Sequence, residues 1–158
     1  MRVTPATVAE EYRWVRDRGD VVVPLINEVR SNLGRAFETD VGEVSPDAYR
    51  AAVDEVFADG DLAVNVAALV GLLREVDVTD DYPGFVVDEF LGRELAAMLA
   101  GQQPLRLLGE ATFHYTDVHV HGTDAPAGAD DLDAALAAGF QTRLPGWAWT
   151  AGESPFGV

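Results

Sequence analysis

Apolar residues recur at three- and four-residue intervals along the first hundred positions of the chain, and that spacing predicts helices. Thr4 is placed to N-cap a first helix with Pro5 at N1. Val8, Tyr12 and Val15 follow along one face, and Gly19 stands where a left-handed C′ residue is wanted. After Asp20, Val21-Val22-Val23 fits a short strand. Leu25, Ile26, Val29, Leu33 and Phe37 nevertheless keep helical spacing, and Pro24 is tolerated in a first turn, so a second helix ending near Phe37 is expected. The acidic stretch 38–44 holds Gly42 and reads as a loop. Ser45-Pro46 repeats the cap signal and opens a third helix, with Tyr49, Ala52, Val53, Val56 and Phe57 facing inward before Gly60. Asp61 then caps a fourth, Leu62 to Val76, which is apolar nearly all round and is expected in the middle of the core. Asp80, Asp81 and Pro83 open a fifth, with Val86, Phe90, Leu91, Leu95, Met98 and Leu99 facing in and Gly101 closing it.

Beyond that point the residue types change. Thr112, Phe113, Tyr115, Thr116, Val118 and Val120 are strand formers, and Gly109-Glu110 interrupts the run, so 105–121 reads as a β-hairpin. A Gly/Asp/Ala/Pro loop follows, then a short helix from Asp130 to Ala138 and an irregular tail. The expected fold class is α+β: about five helices packed with a C-terminal β-hairpin and a short terminal helix, in a single domain over 1–158. A lone hairpin is marginal in water. Its strands must therefore lie on the helices, pair with Val21 to Val23, or pair with a second copy in an edge-strand homodimer. Trp147, Trp149 and Phe156 in the tail read either as a lid on the core or as an exposed binding patch.

Composition adds limits on function. Twenty-seven acidic residues oppose 11 basic ones for a net charge of −16, spread evenly along the chain, which disfavours direct binding to nucleic acid or anionic membrane. Every basic residue is arginine, so a lysine Schiff base or a phosphate-clamping ammonium is excluded. With no cysteine, disulfides, thiolate metal sites and a thiol nucleophile are excluded too. The N-terminus lacks the apolar run and cleavage site of a secretory signal, so a cytoplasmic location is expected. No phosphate-binding glycine loop, dinucleotide fingerprint or nucleophile elbow occurs.

One constellation suggests chemistry. All three histidines, His114, His119 and His121, fall within eight residues. On a strand, Asp117, His119 and His121 share a face, and residues two apart are separated by roughly 6.6 Å. His119 and His121 could thus chelate one divalent transition metal such as Zn, Mn or Fe. Asp117 and His121 stand about 13 Å apart along a regular strand, too far to hold one ion without a bulge. The third ligand is then Asp124 after the Gly122 turn or a carboxylate from the helical half, while Asp117 is a ligand only through such a bulge and could otherwise orient one of the histidines. Solvent-facing histidines that bind nothing fit the same spacing. The string Thr116-Asp117-Val118-His119-Val120-His121-Gly122 resembles the first-strand metal motif of the amidohydrolase barrels. The short stretch after His121 has no room for the eight-stranded barrel that motif requires, and neither fold nor activity is carried over.

Two functional readings follow. The first is a small acidic, non-catalytic binding or regulatory protein, immunity- or inhibitor-like, whose field recruits a basic protein partner. The alternative is a small metal-dependent enzyme built on the His-x-His pair.

Overall fold

The computed structural model describes residues 1–76, 87–102, 105–119 and 127–147, without the side chains of Asp88, His119, Ala127 and Gly128. The N-terminal half follows its capping chemistry. Helix α1 (Pro5–Asp17) starts where the Thr4 hydroxyl accepts from the Thr7 amide at 3.2 Å. Helix α3 (Pro46–Ala58) starts where Ser45 does the same for Ala48, also at 3.2 Å. Between them, α2 (Gly19–Ala36) follows α1 after the single residue Arg18 and takes Val21 to Val23 into its first turns, so the short-strand option there is overturned. Gly19 serves close packing rather than a left-handed turn: a Cβ on it would stand 3.2 Å from the Tyr49 ring. The Tyr49 hydroxyl, fully buried, donates to the Val15 carbonyl at 2.7 Å and locks α3 across the α1–α2 junction. Helix α4 (Gly60–Glu75) is capped by Asp59, whose side chain accepts from the Leu62 amide, and not by Asp61. The chain bends by 111° between α3 and α4.

The C-terminal half overturns the α+β expectation. It holds α5 (Val87–Ala100), α6 (Leu105–His119) and α7 (Ala127–Arg143). The fold is all-α: seven helices account for 82% of the described residues, and no strand occurs among them. The expected hairpin is the single helix α6. Its buried positions are Gly109, Thr112, Phe113 and Thr116, while Leu107, Ala111, His114 and Val118 are exposed, a period of three to four and not of two. Tertiary packing has overridden the strand propensity of these residues. Within the helix the Thr116 hydroxyl donates to the Thr112 carbonyl at 2.7 Å, the usual way a threonine is satisfied there. Edge-strand pairing to a second copy has no strand among the described residues to use.

The middle of the core is α7, not α4. Helix α4 leaves Val64 and Leu72 exposed, whereas α7 is buried from Asp131 to Thr142 except for a half-buried Asp133, and it touches α2, α3, α4, α5 and α6. Small residues make that possible. A Cβ on Gly139 would lie 2.5 Å from the Leu99 Cβ, and one on Gly109 2.8 Å from the Ala100 Cβ and from the Ala96 carbonyl oxygen. Helix α5 therefore packs closely, backbone to backbone, against both α6 and α7.

Arginines close this core. Arg30 of α2 is 1% exposed and donates to the carbonyls of Gln141 (2.7 Å) and Leu144 (2.9 Å) at the end of α7, to Pro145 just beyond it, and to Gly42 at 3.0 Å. A cation there meets the negative end of the helix dipole. Burial pushes its guanidinium down to about 10, which leaves it charged at neutral pH. Arg143 likewise donates to the Leu99 carbonyl at 2.6 Å, where α5 ends before Gly101 in a positive-φ conformation. Arg18 holds Asp133 of α7 in a bidentate pair at 2.9 and 2.7 Å.

Candidate functional site

The surface feature best placed to act is a groove of about 720 Å³ between α1, α3 and α4. Pro5, Val8 and Tyr12 of α1 form one wall, Phe57 and Ala58 of α3 the other, and Ala63 and Val64 of α4 the floor. The 111° bend at Asp59 holds α3 and α4 apart so that α1 lies across their junction. Val64 is 45% exposed and Val3 40%, so part of this apolar lining meets solvent. The Tyr12 and Phe57 rings meet at 5.3 Å between centroids.

A polar triad fixes one wall. The Tyr12 hydroxyl donates to Asp54 at 2.7 Å and Arg16 Nε donates to the same oxygen at 3.0 Å. The Tyr12 hydrogen bond, with Arg16 beside it, holds the Asp54 carboxyl below the usual carboxylate range. The Tyr12 phenol is pushed up in return, first by that bond. Asp54 is thus balanced by Arg16. At the Gly60 end of the groove Asp59 and Asp61 are both exposed and add negative charge. The arrangement offers an apolar trough with an acidic end.

The histidine constellation is not built as expected. Asp117 lies half-buried in the last turn of α6 and His119 ends that helix; His121, Asp124, Trp149 and Phe156 lie outside the described residues. The strand face meant to bring Asp117, His119 and His121 together does not exist at 117–119, because residues two apart on a helix do not face each other. Among the described residues no group of three His, Cys, Asp or Glu side chains is placed to hold a metal ion. His114 instead has its Nδ1 3.5 Å from a Glu89 carboxylate oxygen on the neighbouring α5, both side chains being nearly half exposed. Trp147 is buried beyond the end of α7. Its indole N–H donates to the Gln141 side-chain oxygen at 2.9 Å and to the Gln141 carbonyl at 3.2 Å, and its ring lies beside the Arg30 guanidinium.

The groove residues carry little signal in sequence. Val8, Tyr12, Phe57 and Val64 all fall on apolar stripes that read as core, and only the angle between α3 and α4 separates lining from interior. The capping role of Arg30 has no local signal either, since the α7-end carbonyls of Gln141 and Leu144 lie more than a hundred residues away.

The family model described as a domain of unknown function (DUF7984) matches residues 1–158, and the chain belongs to that family. No curated protein and no solved structure matches it.

Proposed function

We propose that this DUF7984 domain is a non-catalytic binding protein that takes a basic, amphipathic helix of a protein partner into the groove between α1, α3 and α4. The observation that carries this reading is the apolar trough lined by Asp54 and Gly60, with the exposed Asp59 and Asp61 on either side of Gly60 in the chain. Arg30 and Arg143 serve main-chain carbonyls, while Arg18 and Arg74 are held by Asp133 and by Glu11, itself buried. Among the described side chains the carboxylates are exposed or half-exposed, Glu11 and Asp131 excepted. A helix laid into such a groove presents its apolar face at i, i+3, i+4 and i+7 spacing. Lysines or arginines on its flanks would then meet the acidic end, and the surrounding field would speed its arrival.

A synthetic helix of leucine and lysine at that spacing is a suitable probe. It is expected to bind the full chain with one-to-one stoichiometry by calorimetry. Val64→Arg puts a cation into the trough from a partly exposed position and is expected to weaken binding at least about tenfold. Val118→Arg on the exposed face of α6 is expected to change it little. Equal loss in both variants, or none in Val64→Arg, would remove the groove from the account.

A further inference from the structure

A second recess lies between α2, α6 and the end of α7, with a volume of about 360 Å³. That is within the range of small-molecule sites, roughly 300–1,000 Å³. It is more enclosed than the α1/α3/α4 groove and differs from it in chemistry. Leu33 of α2, Phe37 at its C-cap, Leu108, Ala111 and Tyr115 of α6 and the Trp147 ring make the walls, and among the described residues no charged side chain lines the cleft. In a chain of net charge −16, a cleft whose described lining carries no charge suits an uncharged ligand.

The interior end of the cleft is polar. Thr112, Gln141 and Thr142 line it and all three are buried. Gln141 is oriented on both sides: its side-chain oxygen accepts from the Trp147 indole at 2.9 Å, and its Nε2 donates to the Thr112 hydroxyl oxygen at 3.3 Å. As an acceptor from Gln141, the Thr112 hydroxyl keeps its own proton available to donate. At the mouth, Phe37 is 70% exposed at the C-cap of α2, and Leu107, one turn from Ala111 on α6, is 59% exposed. A largely apolar pocket with a fixed donor at its depth and an exposed apolar rim has the build of a ligand site. We infer that the cleft between α2, α6 and α7 binds a small, uncharged, largely apolar molecule whose single hydrogen-bond acceptor docks on the Thr112–Gln141 pair. This inference concerns a different surface from the helix-binding groove and stands independently of it.

Prodan, a neutral naphthalene carrying one ketone, has the required chemistry and reports its surroundings by fluorescence. Titrated into the full-length protein, it is expected to bind saturably at one site with a blue-shifted emission. Ala111→Trp fills the cleft from an exposed position on α6 and is expected to weaken binding at least about tenfold without lowering the melting temperature. Thr112→Val, which removes the donor and keeps the shape, is expected to weaken it severalfold. Val64→Arg in the other groove should leave it unchanged. The anionic analogue 8-anilinonaphthalene-1-sulfonate should bind at least about tenfold more weakly than Prodan. Absence of saturable Prodan binding, retention of wild-type affinity in Ala111→Trp, or equal affinity for the anionic dye would each overturn the assignment.

Discussion

Arg30 brings a positive charge into the interior, and no carboxylate among the described residues pairs with it. Its compensation is dipolar: carbonyls left open by the end of α7, with Gly42 and Pro145 completing the set. The Trp147 ring covers it at 5.9 Å. Gly146 makes room, since a Cβ there would stand 2.8 Å from the guanidinium. Removing the cation leaves several buried acceptors without donors, each worth about 1–3 kcal/mol. Arg30→Met is therefore expected to lower unfolding free energy by about 3–5 kcal/mol in urea titration. Arg30→Lys is expected to recover only part of that loss, because an ammonium lacks the planar fork that reaches acceptors on two sides. A loss under about 1 kcal/mol in Arg30→Met would show that the α7 end is held by something else.

At the scale of elements, legibility in the sequence depended on local chemistry. Thr4-Pro5 and Ser45-Pro46 placed the starts of α1 and α3, and Gly101 marked the end of α5, because capping acts over four residues and needs no partner elsewhere. Helices α6 and α7 were misread because their reasons for being helical are distant. Thr112, Phe113 and Thr116 have strand propensity but are buried together on one helical face against α5 and α7. The stripe Gly109–Thr112–Phe113–Thr116 was the available signal, masked by the β-branched and aromatic residues around it. Helix α7 was read as short because alanines and Gly139 give no strong apolar periodicity; their smallness is what lets five helices surround it. Gly139→Ala tests this. Helix propensity alone favours alanine by about 1 kcal/mol, yet the added methyl would fall 2.5 Å from the Leu99 Cβ. A net loss of about 1–3 kcal/mol is expected. At Gly60, where a Cβ would meet nothing within 4 Å, the same substitution should be neutral or slightly stabilising. Stabilisation at both positions would mean that α5 and α7 are not in backbone contact.

For the whole molecule, the governing fact is how charge is sorted. Eleven arginines in a chain of net charge −16 leave few cations to distribute, and the fold directs Arg18, Arg30, Arg74 and Arg143 toward its own carbonyls and carboxylates. The acidity that was plain in the composition becomes a property of the surface through contacts the composition does not reveal. Combined with the apolar trough at the α3–α4 bend, it is the basis of the proposal that the domain receives a cationic helix. The most direct measurement is the affinity of the leucine–lysine helix at about 50 mM and about 500 mM salt, since screening shortens the reach of surface charge from above 10 Å to a few ångström. Weakening by about tenfold or more is predicted, together with no binding of a leucine–glutamate helix of the same pattern. Affinity that is independent of salt, or equal for the two peptides, would contradict an electrostatic basis for recognition.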